Sequence, residues 1–311
     1  MKVIRKIDGN KIASVYIAEN SEGKQVEFVE STQPPLSINE KWVLIISTLY
    51  GCPVDCKFCD AGGSYQGKLN KEELFFQIDY AVKKRFPKGF ISTEKFKIQF
   101  ARMGEPAFNM QVLDVLKEIP ARYNYRSFIP SLSSIAPKSA TGFFNRLLQI
   151  KKGLYPKDFQ LQFSIHSTDP EQRDNLLPVK KMHFEEIAAY GKDFFDPGGK
   201  KITLNFALGK ESIVDAAVLS TYFDPGIFLI KLTPVNPTLK ASANKIESLI
   251  TAETRHIRLM EELKTAGYDY ILSIGEWEEN KIGSNCGQYI NSLLRENNQL
   301  DESYTYRAIE I

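Results

Sequence analysis

The chain has 311 residues, 40 Lys and Arg against 38 Asp and Glu, a net charge of +2 and 43% hydrophobic residues. That length and balance suit one large domain with a full core, and a pI near 8.1 lacks the footprint of a strongly basic nucleic-acid binder. No apolar run approaches the roughly 20 residues that span a bilayer, and residues 1–20 lack a signal peptide's uninterrupted apolar core, so a reducing, cytoplasmic compartment without membrane contact is expected.

In chain order, Lys11 to Ile17 and Lys24 to Glu30 alternate apolar and polar residues around a polar Glu19 to Gly23 turn, which predicts a β-hairpin. A Pro-bearing link, Ser31 to Glu40, follows. From Trp42 the rhythm changes to strand then helix. Val43 to Thr48, Phe96 to Ala101, Ser127 to Ser133, Phe159 to His166, Ile202 to Ala207, Phe228 to Thr233 and Tyr270 to Ile274 are short apolar runs that read as buried strands. Glu72 to Lys84, Met110 to Glu118, Thr141 to Leu148, Phe184 to Phe195, Asp215 to Tyr222 and Thr251 to Ala266 carry apolar residues at helical spacing. About six or seven such strand–helix units predict an α/β fold with a parallel sheet: a partial or complete TIM-like (β/α) barrel. The expected division is 1–40 as hairpin and link, 41–276 as barrel, and 277–311 as a C-terminal segment packed on it.

The chemistry concentrates where the first of these strands ends. Cys52, Cys56 and Cys59 lie within eight residues, and Gly51 and Pro53 break regular structure, so the thiols belong to a loop at a strand's carboxyl end. With four cysteines in the chain, metal or catalytic logic outweighs a disulfide framework. A structural zinc wants four ligands, whereas a 4Fe-4S cluster held by three cysteines leaves one iron open. A zinc-binding module with Cys286 as fourth ligand is the competing assignment.

Cys-x-x-x-Cys-x-x-Cys with Phe58 before the last cysteine resembles the signature of the radical S-adenosylmethionine superfamily. There the open iron chelates S-adenosylmethionine, whose reductive cleavage yields a 5'-deoxyadenosyl radical. The resemblance implies an external electron donor such as flavodoxin. Further matches point to one branch, the RlmN/Cfr-type RNA adenine methyltransferases. Met103-Gly104-Glu105-Pro106 resembles that family's Gly-Met-Gly-Glu-Pro, which places Gly104 and Glu105 at the amino group of S-adenosylmethionine, but Arg102 stands where the family has glycine. Ser133 or Ser134 resembles the serine near the sulfonium, Ser164-Ile165-His166 the family's Ser-Leu-His, and Asn236 the asparagine of Pro-x-Asn-Pro. All fall at carboxyl ends of predicted strands.

Cys286-Gly287-Gln288 resembles the family's Ala-Cys-Gly-Gln-Leu, whose cysteine carries the methyl group. A thiolate can take a methyl by displacement and present it to the radical, so that a methylene radical adds to an aromatic carbon. Two departures stand out. The family's resolving cysteine position is Ile45 here, so adduct release would call on an external thiol, and no helical RNA-binding domain is expected ahead of the barrel. Val26-Glu27 resembles the family's Val-Glu, which would make Glu27 a proton acceptor; read from the residues alone, Glu27 is a solvated strand residue. An RNA substrate, rRNA or tRNA, follows from the resemblance and not from charge. The second reading is a radical enzyme on a non-RNA substrate in which Cys286 serves another step.

Overall fold

The structure is a computed structural model that describes residues 1–9, 12–32, 35–276, 278–285, 288–290 and 303–311. Three antiparallel strands open the chain: β1 (Lys2–Gly9), β2 (Ala13–Glu19) and β3 (Gln25–Ser31). The predicted hairpin is therefore the middle of a longer ribbon, since β2 pairs β3 from Ala13↔Ser31 to Glu19↔Gln25 while β1 covers the other edge of β2. β1 escaped the sequence reading because Lys2, Arg5, Lys6 and Asp8 interrupt its apolar residues.

β4 (Lys41–Ile46) joins the two halves, pairing antiparallel with β3 and parallel with a later strand. After it, β5 (Leu49–Tyr50) and β6 (Gly67–Lys68) form a small ribbon that closes the neck of the cysteine loop. Helix α1 (Lys71–Arg85) starts on a capping box, with the Asn70 side chain accepting from Glu73 N–H at 2.9 Å and the Glu73 carboxylate accepting from Asn70 N–H at 3.0 Å. Such a cap contributes about 1 kcal/mol. Next come β7 (Phe90–Ile91), β8 (Lys95–Phe100), α2 (Gln111–Arg122), β9 (Asn124–Tyr125), β10 (Phe128–Ser134) and α3 (Thr141–Leu154). They are followed by β11 (Gln160–Ser164), α4 (Pro170–Leu176), α5 (Phe184–Phe194), β12 (Ile202–Leu208), α6 (Ala216–Tyr222) and β13 (Phe228–Pro234). The last described elements are α7 (Leu239–Ala243), α8 (Arg258–Thr265), β14 (Tyr270–Leu272), α9 (Glu278–Ile282) and β15 (Ala308–Glu310). The helix expected from Thr251 begins only at Arg258, because Thr251 N–H donates to Thr254 Oγ1 at 2.8 Å and diverts the backbone into a local turn.

Among the described residues, one sheet of 11 strands runs β14-β13-β12-β11-β10-β8-β4-β3-β2-β1-β15. The seven strands from β14 to β4 are parallel, and the sheet stays open, with β14 at one end and β15 at the other. The barrel is thus partial, not complete. Burial alternates along β8 and β13, with Phe96, Ile98, Phe100 and Phe228, Ile230, Leu232 buried under the helices. The opposite face is polar at Gln99, Ser131, Ser133, Gln162, Ser164 and Asn205. This face forms a trough that keeps polar groups against the sheet, and burying such groups without partners costs a few kcal/mol each. A second apolar cluster, with Ile7, Val15, Ile17, Val29, Ile282 and Tyr289, joins the ribbon to the C-terminal segment. No helix among the described residues is long and apolar enough to cross a membrane.

Candidate active site

The cysteine loop is shaped by its backbone. Gly51 has φ +75°, and a Cβ there would stand 2.2 Å from the Ser64 carbonyl oxygen, so only glycine lets the two ends of the loop close. Gly63 N–H then donates to the Cys52 carbonyl at 3.3 Å, Cys59 N–H to that of Cys56 at 3.2 Å, and Lys57 N–H to Leu176 of α4 at 3.0 Å. The segment around α7 holds the other side: Thr238 Oγ1 donates to the Phe58 carbonyl at 2.9 Å, Asn244 to that of Lys57 at 2.8 Å, and Lys240 pairs with Asp55. Asp60, next to Cys59, accepts from Leu239 N–H at 3.1 Å, from Lys240 N–H at 2.9 Å and from the Tyr304 hydroxyl.

Cys52, Cys56 and Cys59 form no disulfide. Burial pushes Cys56 well above the ordinary thiol range, and the charges of Cys59, Cys52 and Glu105 push the same way. Burial lifts Cys52 to about 11, against the backbone amides of Val54, Glu105 and Asp55 that favour its thiolate. Among the described residues, no three His, Cys, Asp or Glu side chains are drawn into a ready metal cage. What the loop offers is three soft donors within one another's field on an anchored backbone, which fits a cationic iron–sulfur centre arriving with its own sulfides.

Strand ends supply the second half. Gly104 has φ +93°, and a Cβ would meet Leu49 at 2.4 Å. Gly104→Ala is expected to lower the free energy of unfolding by roughly 2–4 kcal/mol, read as a reduced urea midpoint with unchanged slope. Glu105 is buried and accepts from Ala107 N–H at 3.0 Å, Ile135 N–H at 2.9 Å and Ser134 Oγ at 2.6 Å; burial lifts it to about 6 against these bonds. This separates the two candidate serines. Ser134 is spent on Glu105, whereas the Ser133 hydroxyl is buried on the trough side with no hydrogen-bond partner.

Ser164 ends β11 and pairs in register with Asn205 of β12, whose Oδ1 is also buried without a partner. The sequence reading missed Asn205; its signal was an amide in the middle of the apolar run from Ile202 to Ala207. Ile165 is fully buried, and Ile165 N–H and His166 N–H both donate to the Asn205 carbonyl. His166 has φ +64°, accepts from Ala207 N–H at 3.0 Å, and packs edge-on against Phe58 with centroids 4.8 Å apart. Burial, and then Arg173, push it down to about 3, so it stays neutral. Asn236 is half-buried just beyond β13, and its carbonyl accepts from Thr238 N–H at 2.8 Å. Orphaned polar atoms at Ser133 and Asn205, on the same sheet face as Ser164, fit a polar ligand such as S-adenosylmethionine.

Cys286 lies outside the described residues, but its flanks do not. Gln288 N–H donates to the Tyr304 hydroxyl at 3.2 Å, and that hydroxyl donates to Asp60. Two bonds therefore separate the flank of Cys286 from the residue after Cys59. Glu27 overturns the expectation of a solvated residue: it is fully buried, with Oε2 2.6 Å from Arg102 Nη2 and Oε1 accepting from Ile290 N–H at 2.6 Å. Burial pushes its carboxyl up, opposed by the Arg102 guanidinium and the Ile290 amide. Neither partner was visible as such in the sequence, where they lie 75 and 263 positions away.

No protein-family model matches the chain. It is similar to curated proteins described as probable dual-specificity RNA methyltransferase RlmN. That of Thermotoga petrophila is 29% identical over 77% of this chain, and that of Petrotoga mobilis 24% identical over 96%. The chain spans 66% of the length of the first and 80% of the second. A crystal structure of a radical SAM methyltransferase from Sphaerobacter thermophilus matches the fold with a TM-score of 0.66 at 19% identity, over 92% of this chain and 80% of that one.

Proposed function

We propose that this chain, a relative of the RlmN-type radical S-adenosylmethionine methyltransferases, methylates an aromatic carbon, with adenine in RNA as the substrate class and Cys286 as the methyl carrier. The observation that carries the reading is the path from Gln288 through Tyr304 to Asp60, which ties the flank of Cys286 to the cysteine loop.

Cys52, Cys56 and Cys59 would hold a 4Fe-4S cluster; Glu105, with Gly104 leaving room for close approach, and Ser133, Ser164 and Asn236 would hold S-adenosylmethionine. Bound there, these groups supply a methyl for transfer and a carbon radical able to take hydrogen from a thioether. The chain's residues do the rest. Glu105 offers a carboxylate to an ammonium, and its bonds to Ser134 and Ile135 fix its direction. Ser133 Oγ and Asn205 Oδ1, unsatisfied in the trough, gain partners when a polar ligand enters. His166, held neutral under Phe58, adds shape and no charge. Cys286 would accept the methyl on sulfur and present it to the aromatic ring. An electron donor such as flavodoxin and a cytoplasmic setting complete the reading.

The test is Cys286→Ala. The anaerobically purified variant is expected to keep its iron and its production of 5'-deoxyadenosine while methylated product falls to background, by at least about a thousandfold. In the unaltered protein, mass spectrometry should find one methyl on the Cys286 peptide. A variant that still methylates RNA, or a Cys286 bound to iron, would reject the carrier role.

A further inference from the structure

Arg102 is 1% exposed and Glu27 0% exposed as side chains. A guanidinium keeps its charge at any pH the protein meets, so burying one demands an anion beside it, and Glu27 is that anion. The pair does more than neutralise itself. Arg102 Nη2 donates to the Gly283 carbonyl at 2.7 Å, and Nη1 donates to the carbonyls of Ser284 at 3.2 Å and Asn285 at 2.6 Å. Three successive carbonyls converging on one planar fork fix both the position and the direction of the backbone. On the far side, Glu27 Oε1 takes Ile290 N–H at 2.6 Å. The two charged groups thus grip the chain immediately before Cys286 and shortly after Gly287, and the ion pair at 2.6 Å closes the ring between the grips.

We infer that Arg102 and Glu27 form a positioning device for the segment bearing Cys286. The ion pair holds residues 283–285 on one side and Ile290 on the other, the described flanks of the segment. The device rests on the proposed methyl-carrier role for its purpose, but not for its geometry.

The experiment uses the full-length, iron-loaded protein. Arg102→Met combined with Glu27→Leu removes both charges together and avoids a lone buried ion; Arg102→Lys keeps the cation but loses the fork. Amide hydrogen exchange over residues 283–290 and the rate at which iodoacetamide alkylates the unmethylated fraction of Cys286, located by peptide mass spectrometry, are read against the unaltered protein at equal far-ultraviolet dichroism. The double variant is expected to exchange and alkylate at least about tenfold faster, and Arg102→Lys to fall between. The ratio of methyl on Cys286 to 5'-deoxyadenosine formed should fall by a similar factor, whereas general destabilisation lowers both quantities and spares the ratio. Exchange and alkylation within about twofold of the unaltered protein in a folded double variant would overturn the inference. A faster-alkylating variant of a protein whose Cys286 never carries a methyl would leave the grip standing and remove the carrier role.

Discussion

Cys56→Ala, purified without oxygen, is expected to be colourless, to carry less than one iron per chain where the unaltered protein carries about four, and to form no 5'-deoxyadenosine on reduction. Cys52→Ala and Cys59→Ala should behave alike, because a three-cysteine site has no spare ligand. The loss should be chemical and not structural. The loop is held by Lys57 N–H on Leu176, by Thr238 on Phe58 and by Asp60 on Leu239 and Lys240, and none of these bonds involves a thiol. Thermal midpoints of the variant and of the chelator-stripped unaltered protein should therefore agree within a few degrees, about the shift of 1 kcal/mol or less. Iron analysis and electron paramagnetic resonance of the reduced sample decide the matter. An unaltered protein with one tightly held zinc would move the assignment to a zinc-binding module.

The second large effect concerns Ile45. Once an aromatic carbon has been joined through a methylene group to the sulfur of Cys286, release requires a nucleophile at that sulfur: a thiolate attacks it, the sulfur–sulfur bond forms, and the methylene carbon leaves with the electron pair and takes a proton to become the methyl group. Isoleucine supplies no such nucleophile. Its placement is nevertheless apt, because Ile45 packs against the cluster containing Ile282 and Tyr289, on either side of Cys286 in sequence, while its neighbours Leu44 and Ile46 turn to the helices. Without added thiol, the protein is expected to stop after at most one turnover with RNA crosslinked to Cys286. Ile45→Cys should release the RNA, raising free methylated product in that single turnover by at least about tenfold and leaving a disulfide between the introduced thiol and Cys286, which an added reductant must open before the next turnover and which peptide mapping detects. Sustained turnover by the unaltered protein without thiol, and with no crosslink, would move the assignment to a radical enzyme in which Cys286 serves another step.

The parallel sheet was legible because its strands are covered by helices and read as continuous apolar runs; the seven expected strands all form, within two residues at most ends. The two-residue ribbons were not, since elements that short carry no period. Helix α7 has five residues and no apolar repeat, so its role as the cysteine loop's rear support was invisible. The site divides the same way. Cysteine spacing and strand-end glycine and serine are local signals and survive in sequence, whereas the Glu27–Arg102 pair and the Tyr304–Asp60 bond exist only once distant segments meet. Ser133 against Ser134 could not be settled from sequence, because adjacent strand residues face opposite sides and register alone decides which meets Glu105.

The support of the cysteine loop also sets an order of events during synthesis. The bonds from Thr238, Leu239 and Lys240 reach back about 180 positions to Phe58 and Asp60. At 5–20 residues per second, that interval lasts roughly 9–36 s. For that time a nascent chain displays three thiols without the backbone that anchors them, exposed to whatever metal is nearby. Only when the α7 segment has left the ribosome can the loop take its docked form, so correct loading favours delivery to a nearly finished chain over capture by an emerging one.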